Sequence, residues 1–387
     1  RSRTGNAPNP SVLFDVFSSF GFAAQSAVIK HLLSRGRVDI AIASGRLSER
    51  ELFDLSAARG LAEVNVIPAS RARHARPSVV VITDLRSVRV WRSTRFAFLH
   101  HGSSHGNIAV PYAFYMLQEG QAQYMLCLSE AEKQQGEAFF GGDFSARAVV
   151  AGPPKLDALV NGKFDRAQVL ETAGLDPRWP TILVNSHWTP TSLFRSSDLS
   201  LLGRSLGGLN ANVLVTAHYH LFNADSENFS GRIDWLARLR TVFDGPRMRV
   251  LSRIADNHPI LYAADVLIGD HSSITLEYAT LYRPILLYRN PSHRRSDAAM
   301  DDLLLDTVIT FQNPGSVSDL IHTHGQVPID PQPRKRLLEY CFAHLGESAH
   351  RAAQELESLA ILGRFRNGTE AVPDLPPCAP STRDENR

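Results

Sequence analysis

Short apolar runs that alternate with amphipathic stretches, in two successive series along one chain, leave few folds open. The first series is SVLFDVF from Ser11, VDIAIA from Val38, SVVVIT from Ser78, RFAFLH from Arg95, YMLCLS from Tyr124 and RAVVAG from Arg147. Helical patterns through Lys30 to Arg35 and from Ser48 to Arg59 lie between them. Strands covered on both faces read as continuous apolar runs, and helices between them imply a parallel sheet. After a helical link near Leu156 to Ala173 the rhythm restarts with TILVNS from Thr181, NVLVTAH from Asn212, MRVLS from Met248, DVLIGD from Asp265 and PILLY from Pro284. The expected fold class is therefore α/β, with two doubly wound, Rossmann-like domains facing each other across a cleft. In such sheets ligands lie in the crevice beyond the carboxyl ends of the strands.

A chain of 387 residues exceeds what one core usually supports, which agrees with two domains. The expected boundaries are 11–165 for an N-terminal Rossmann-like domain and 175–332 for a C-terminal one. Residues 333–365 read as amphipathic helices packing back across the cleft, and the proline-rich, polar stretch 366–387 as a disordered tail. With 43% hydrophobic and 21% charged residues the chain is globular in composition. A net charge of +2, carried by 41 basic residues of which only five are lysine, falls short of the basic stripe of a nucleic-acid binder. Three cysteines, Cys127, Cys341 and Cys378, stand far apart with no zinc or disulfide spacing, as expected of a protein of the reducing cytoplasm. No apolar stretch reaches the length of a membrane span, so any membrane association is expected to be peripheral, at the inner face of the cell membrane.

Three segments carry chemistry-bearing residues at strand ends. LHHGSSHG, Leu99 to Gly106, leaves an apolar strand and enters a glycine- and serine-rich turn with three histidines. A strand end presents a side chain rigidly, and a neutral imidazole can accept a proton from an alcohol near pH 7. Packing at a loop is the competing role. The second segment is Ala217-His218-Tyr219-His220. If the strand continued, His218 and His220 would share a face, in phosphate contact or, with a converging ligand such as Asp225, in a metal site. The third is AADVLIGDHSSITLEYATLYRPILLY, Ala263 to Tyr288: a strand ends at Gly269-Asp270, Ser272 and Ser273 open a helix, and Glu277 follows one turn later. Amides and hydroxyls at a helix start suit a diphosphate, and Ser-Ser before a helix also serves as a plain cap.

The third segment resembles the run "aDvLItDySSv.fDya.l.kPiifY" of the CDP-glycerol glycerophosphotransferase family, almost position by position. HHGSSHG is similar to that family's "WHGT" region, AGPPKLDAL from Ala151 to its "GyPR.D.L", and TAHYH from Thr216 to its "R.HY" strand end. The likeness spans roughly residues 95 to 290. It implies a fold of the GT-B type and transfer of a polyol phosphate from a CDP-activated donor to a hydroxyl of a cell-wall, capsule or lipid-linked glycan acceptor, with release of CMP. On the matching positions His101 would be the general base and His218 would stabilise charge on the transferred group. Gly269, Asp270, His271, Ser272 and Ser273 would hold the donor, with Glu277 on the cytidine ribose. Ser103, Ser104, His105, Lys155 and His220 would contact phosphate or acceptor. The departures are His100 for the family's tryptophan, Ser-Ser-His-Gly for its "TPLK" continuation, Glu277 for its aspartate, and Thr216-Ala217 where it has an arginine.

No protein ligand set for a metal and no tightly bound cofactor is expected, although Mg2+ is compatible with the donor. Three other functions fit the same residues: a nucleotide-sugar glycosyltransferase of the same architecture, a metal-dependent hydrolase using His101, His218 and His220, and a binding module without activity.

Overall fold

A computed structural model describes residues 9–102, 112–252, 254, 256–293, 297–325 and 329–366. The described residues form two compact units. One draws on the chain up to Gly102, on the segment ending at Asp157 and on the chain from Phe342 onward; the other is Ala158–Cys341.

The first unit holds a seven-stranded sheet of β1 (Ser11–Asp15), β2 (Asp39–Ala43), β3 (Asn65–Val66), β4 (Val79–Ile82), β5 (Arg95–Leu99), β6 (Tyr124–Cys127) and β7 (Ala148–Val150). Every pairing is parallel and the order is β3-β2-β1-β4-β5-β6-β7. The second unit repeats the plan with β8 (Thr181–Ser186), β9 (Asn212–Ala217), β10 (Met248–Val250), β11 (Val266–Gly269), β12 (Ile285–Tyr288) and β13 (Ile309–Phe311), in the parallel order β10-β9-β8-β11-β12-β13. In both sheets the strand order reverses beside the first strand, at β1/β4 and at β8/β11, which is where a doubly wound sheet opens a crevice. The expected α/β class with two doubly wound sheets is what forms.

The strands read from the sequence all occur, because β4, β6, β8, β9, β11 and β12 are buried along their whole length and so had to be written in apolar residues. Two edge strands, β3 and β13, had no such signature. The helix Glu49–Ala58 starts with a capping box in which Ser48 and Glu51 satisfy each other's backbone groups. The expected helical link near Leu156 to Ala173 is instead three short pieces, Pro154–Leu156, Asp157–Val160 and Arg166–Thr172.

At the β1/β4 reversal, buried Gln25 of the helix Ser19–Arg35 donates to the carbonyls of Asp15 and Val81 at 3.0 and 3.2 Å, tying the helix to both strands. The chain after Pro333 divides between the units. Helix Pro331–Cys341 belongs to the second, where fully buried Arg334 donates to the carbonyls of Ala279, Arg283 and Thr307. Helix Ser348–Leu362 belongs to the first and packs on Ser19–Arg35, with Arg35 bidentate to Glu357 at 2.8 and 2.9 Å. Gly152, at φ +80°, lies where the chain after β7 meets the returning segment, and a Cβ there would lie 2.1 Å from the Ala343 carbonyl oxygen. Most of the tail read as 366–387 lies outside the described residues. No helix among the described residues is long and apolar enough to cross a membrane.

Candidate active site

In the first unit the chemistry gathers beyond the carboxyl ends of β1, β4, β5 and β7. His101 follows β5, half-buried, and its Nδ1 lies 2.6 Å from the carbonyl oxygen of Thr83 after β4. A carbonyl only accepts, so the proton sits on Nδ1 and Nε2 carries the lone pair. The ring of Phe20 meets His101 edge-on at 5.8 Å, and Lys155 Nζ lies 4.1 Å from the same Phe20 ring. Lys155 is 5% exposed, with its ammonium over the face of that ring. Burial pulls the His101 pKa down, and the charge of Lys155 pushes the same way, against Asp84 and the Thr83 bond. The imidazole is therefore neutral at pH 7.

Tyr112 and Asp15, which the sequence reading did not single out, help hold this set beside His100. Tyr112 hydrogen-bonds Asp84 Oδ1 and its ring lies 6.3 Å from that of His101. Asp15, buried at the end of β1, accepts from the amides of Ser87 and Val88 at 2.6 and 3.1 Å and from the Ser87 hydroxyl, fixing the loop after β4. Burial raises its pKa. His100, where the family run has tryptophan, points into the core with Nε2 3.2 Å from Glu132 Oε1. Ser103, Ser104 and His105 lie outside the described residues.

In the second unit β9 stops at Ala217, and Tyr219–Phe222 forms a 3-10 turn, so His218 and His220 are not two residues of one strand face. The turn nevertheless brings their rings to 5.0 Å. His218 Nδ1 accepts from the amide of His220 at 3.3 Å, which leaves the ring proton on Nε2. Among the described residues no metal-capable set of three includes His218 or His220. Phe229 stacks on His220 at 3.8 Å, and Trp188 meets both His220 and Phe229 edge-on.

His187, at the end of β8, was missed although it follows an apolar strand as His101 and His218 do. Its ring is 5.2 Å from that of His218, and burial, helped by the charge of His293, lowers its pKa to about 4. Its amide donates to Asp270, which also accepts from the Ser186 hydroxyl and the Leu193 amide at 2.8 Å each. Asp270 is thus turned inward, joining the ends of β8 and β11, and burial raises its pKa. Gly269 ends β11 so close to Thr275 that a Cβ would sit 3.2 Å from the Thr275 hydroxyl.

Ser272 precedes the helix Ser273–Ala279 as its N-cap, yet makes no side-chain cap bond. Its Oγ is buried with no hydrogen-bond partner among the described residues, so the plain-cap role is not the one it plays here. Glu277, expected to face a ribose, is 1% exposed and meets His258 Nε2 at 3.0 Å through Oε2. His271 stacks on His293 with centroids 4.0 Å apart.

Two parallel doubly wound sheets, with neutral histidines and an uncapped serine-led helix start beyond their strand ends, define an α/β enzyme of the GT-B type. A family model described as CDP-glycerol:poly(glycerophosphate) glycerophosphotransferase matches residues 88–294, more than half of the chain. The chain belongs to this family and is an enzyme of the glycerophosphotransferase class. Among solved structures it is similar to the wall teichoic acid polymerase TagF, at 15% identity and TM-score 0.61 over 92% of this chain and 90% of that one. It is also similar to a UDP-N-acetylglucosamine 2-epimerase, at 12% identity and TM-score 0.57 over 91% and 97% of the two chains. A glycosyltransferase from Rickettsia africae aligns at 12% identity and TM-score 0.51 over 92% and 99%. At such identities these likenesses establish the fold alone. No curated protein sequence gives a significant match.

Proposed function

We propose that the chain transfers glycerol phosphate, or a similar polyol phosphate, from a CDP-activated donor to a hydroxyl of a cell-wall, capsule or lipid-linked glycan acceptor. Family membership supports the donor class, and a TagF variant has been soaked with CDPG. The observation that carries the reading is the tautomer of His101, whose Nδ1 is committed to the Thr83 carbonyl so that Nε2 is the basic nitrogen.

In the proposed reaction the acceptor oxygen forms a bond to the β-phosphorus and gives its proton to His101 Nε2. The bond from that phosphorus to the CMP oxygen breaks, and CMP leaves with the electron pair. Phosphoryl transfer asks chiefly for positioning and charge stabilisation. His218, with its proton on Nε2, suits donation to an oxygen of the transferred group, a role opposite to that of His101. The hydroxyl of Ser272 and the amides opening its helix suit the diphosphate. Lys155 adds fixed positive charge beside His101, where the family's lysine after "WHGT" is missing. Glu277 acts in this reading through its pair with His258, which sets the helix that carries the serines.

Incubating the protein with CDP-glycerol, CDP-ribitol and UDP-sugars, each with glycan acceptors, tests the proposal. CMP release from a CDP-polyol that is lost in His101→Ala supports it. UDP release from a UDP-sugar, with CDP-polyols inert, would replace it with a glycosyltransferase.

A further inference from the structure

We propose that His271, His293 and Asp301 form a binding site for a borderline divalent metal ion such as Zn2+ or Co2+. His271 follows the end of β11 and His293 the end of β12, and Asp301 lies in the helix Ala298–Leu305. One ligand atom from each, two imidazole nitrogens and a carboxylate oxygen, lies within 4.8 Å of the others. Asp301 is 3% exposed, and the two imidazoles are only partly exposed, so the three donors converge below the surface rather than in open solvent.

A carboxylate is costly to bury, and a cation shared with it offsets that cost. Two nitrogen donors and one anionic oxygen make a three-ligand set that leaves one position of a tetrahedral ion open. Nitrogen donors favour Zn2+ or Co2+ over Mg2+ and Ca2+, which prefer oxygen ligands. Metal–ligand bonds of about 2.0–2.1 Å require the donor atoms to approach to about 3.4 Å. That needs a closure on the order of 1 Å and a turn of the two rings out of their near-parallel stack, so that both in-plane lone pairs meet at one point, by rotation of two partly exposed histidine side chains. His271 is next to Ser272 in the chain, so an ion held here lies beside the proposed diphosphate position.

Chelator-stripped full-length protein titrated with Co2+ should bind one equivalent with the visible absorption of a low-coordinate site, and Zn2+ should displace it. His293→Ala and Asp301→Asn should each weaken binding roughly tenfold or more, while His218→Ala should leave it unchanged. Circular dichroism of each variant separates loss of ligand from loss of fold, and His271→Ala gives a third, independent reading. Binding at background level, or affinity equal to wild type in both His293→Ala and His271→Ala, would overturn the site. The claim does not depend on the transferase reading: protein that binds Co2+ here but releases no CMP keeps the site and loses the reaction.

Discussion

His101 and His218 follow the ends of β5 and β9 in opposite tautomers, one set by a carbonyl that accepts a hydrogen bond, the other by an amide that donates one. His101→Ala should therefore lower kcat by about 10²–10⁴, the usual worth of a positioned general base, while CDP-glycerol affinity measured by titration stays near wild type. Because burial holds His101 below the ordinary value of 6.5, the acid limb of the kcat/KM profile should lie below that pH. His187 gives a stability test. The unfolded chain takes up a proton near pH 6.5 and the folded ring only near 4, so the folded state binds fewer protons between these values. The stability tied to the neutral ring is intact above 6.5 and is lost as pH falls toward about 4. His187→Gln should flatten that part of the Tm-against-pH curve, and an unchanged slope would show that the ring does not titrate this way.

At the scale of elements, the ends of β8 and β11 are joined through Asp270, which serves the Ser186 hydroxyl and the His187 and Leu193 amides. Asp270→Ala leaves those donors without their acceptor and should cost about 3 kcal/mol in urea unfolding. Gly152→Ala meets both a left-handed backbone and a carbonyl collision, and should cost more than about 1 kcal/mol. The strands were legible in the sequence because double burial demands continuous apolar residues. The two-residue Asn65–Val66 and the three-residue Ile309–Phe311 were not, since short edge strands make no such demand. His101 and His218 were legible through their place after apolar runs, whereas His187, which follows β8 in the same way, was not picked out. The pairs that fix the strand ends and the serine-led helix were not legible, because Asp15 with Ser87, Ser186 with Asp270 and His258 with Glu277 are separated by 72, 84 and 19 positions. Periodicity records which face a residue takes and is silent on what it meets there. The metal-capable trio was hidden for the same reason, with attention drawn instead to the closely spaced His218 and His220.

On the scale of the whole molecule, the chain leaves the first unit at Asp157 and re-enters it at Phe342. The returning helix Ser348–Leu362 supplies Ala349, Ala352, Ala353, Leu356 and Leu359 to the core that also contains Phe22, Ile29 and Leu32. Glu357 adds contacts to Arg35 and Arg37. A fragment ending at residue 157 should thus fail to give a cooperative melt, and fusing residues 342–366 to it through a flexible linker should restore one. During synthesis, the same connectivity makes the ribosome deliver the whole of the second unit before the first can close its interior. Chaperones would meet the early strands as an unfinished nascent sheet, and a premature stop between codons 342 and 362 would damage the unit whose strands were translated before those of the second.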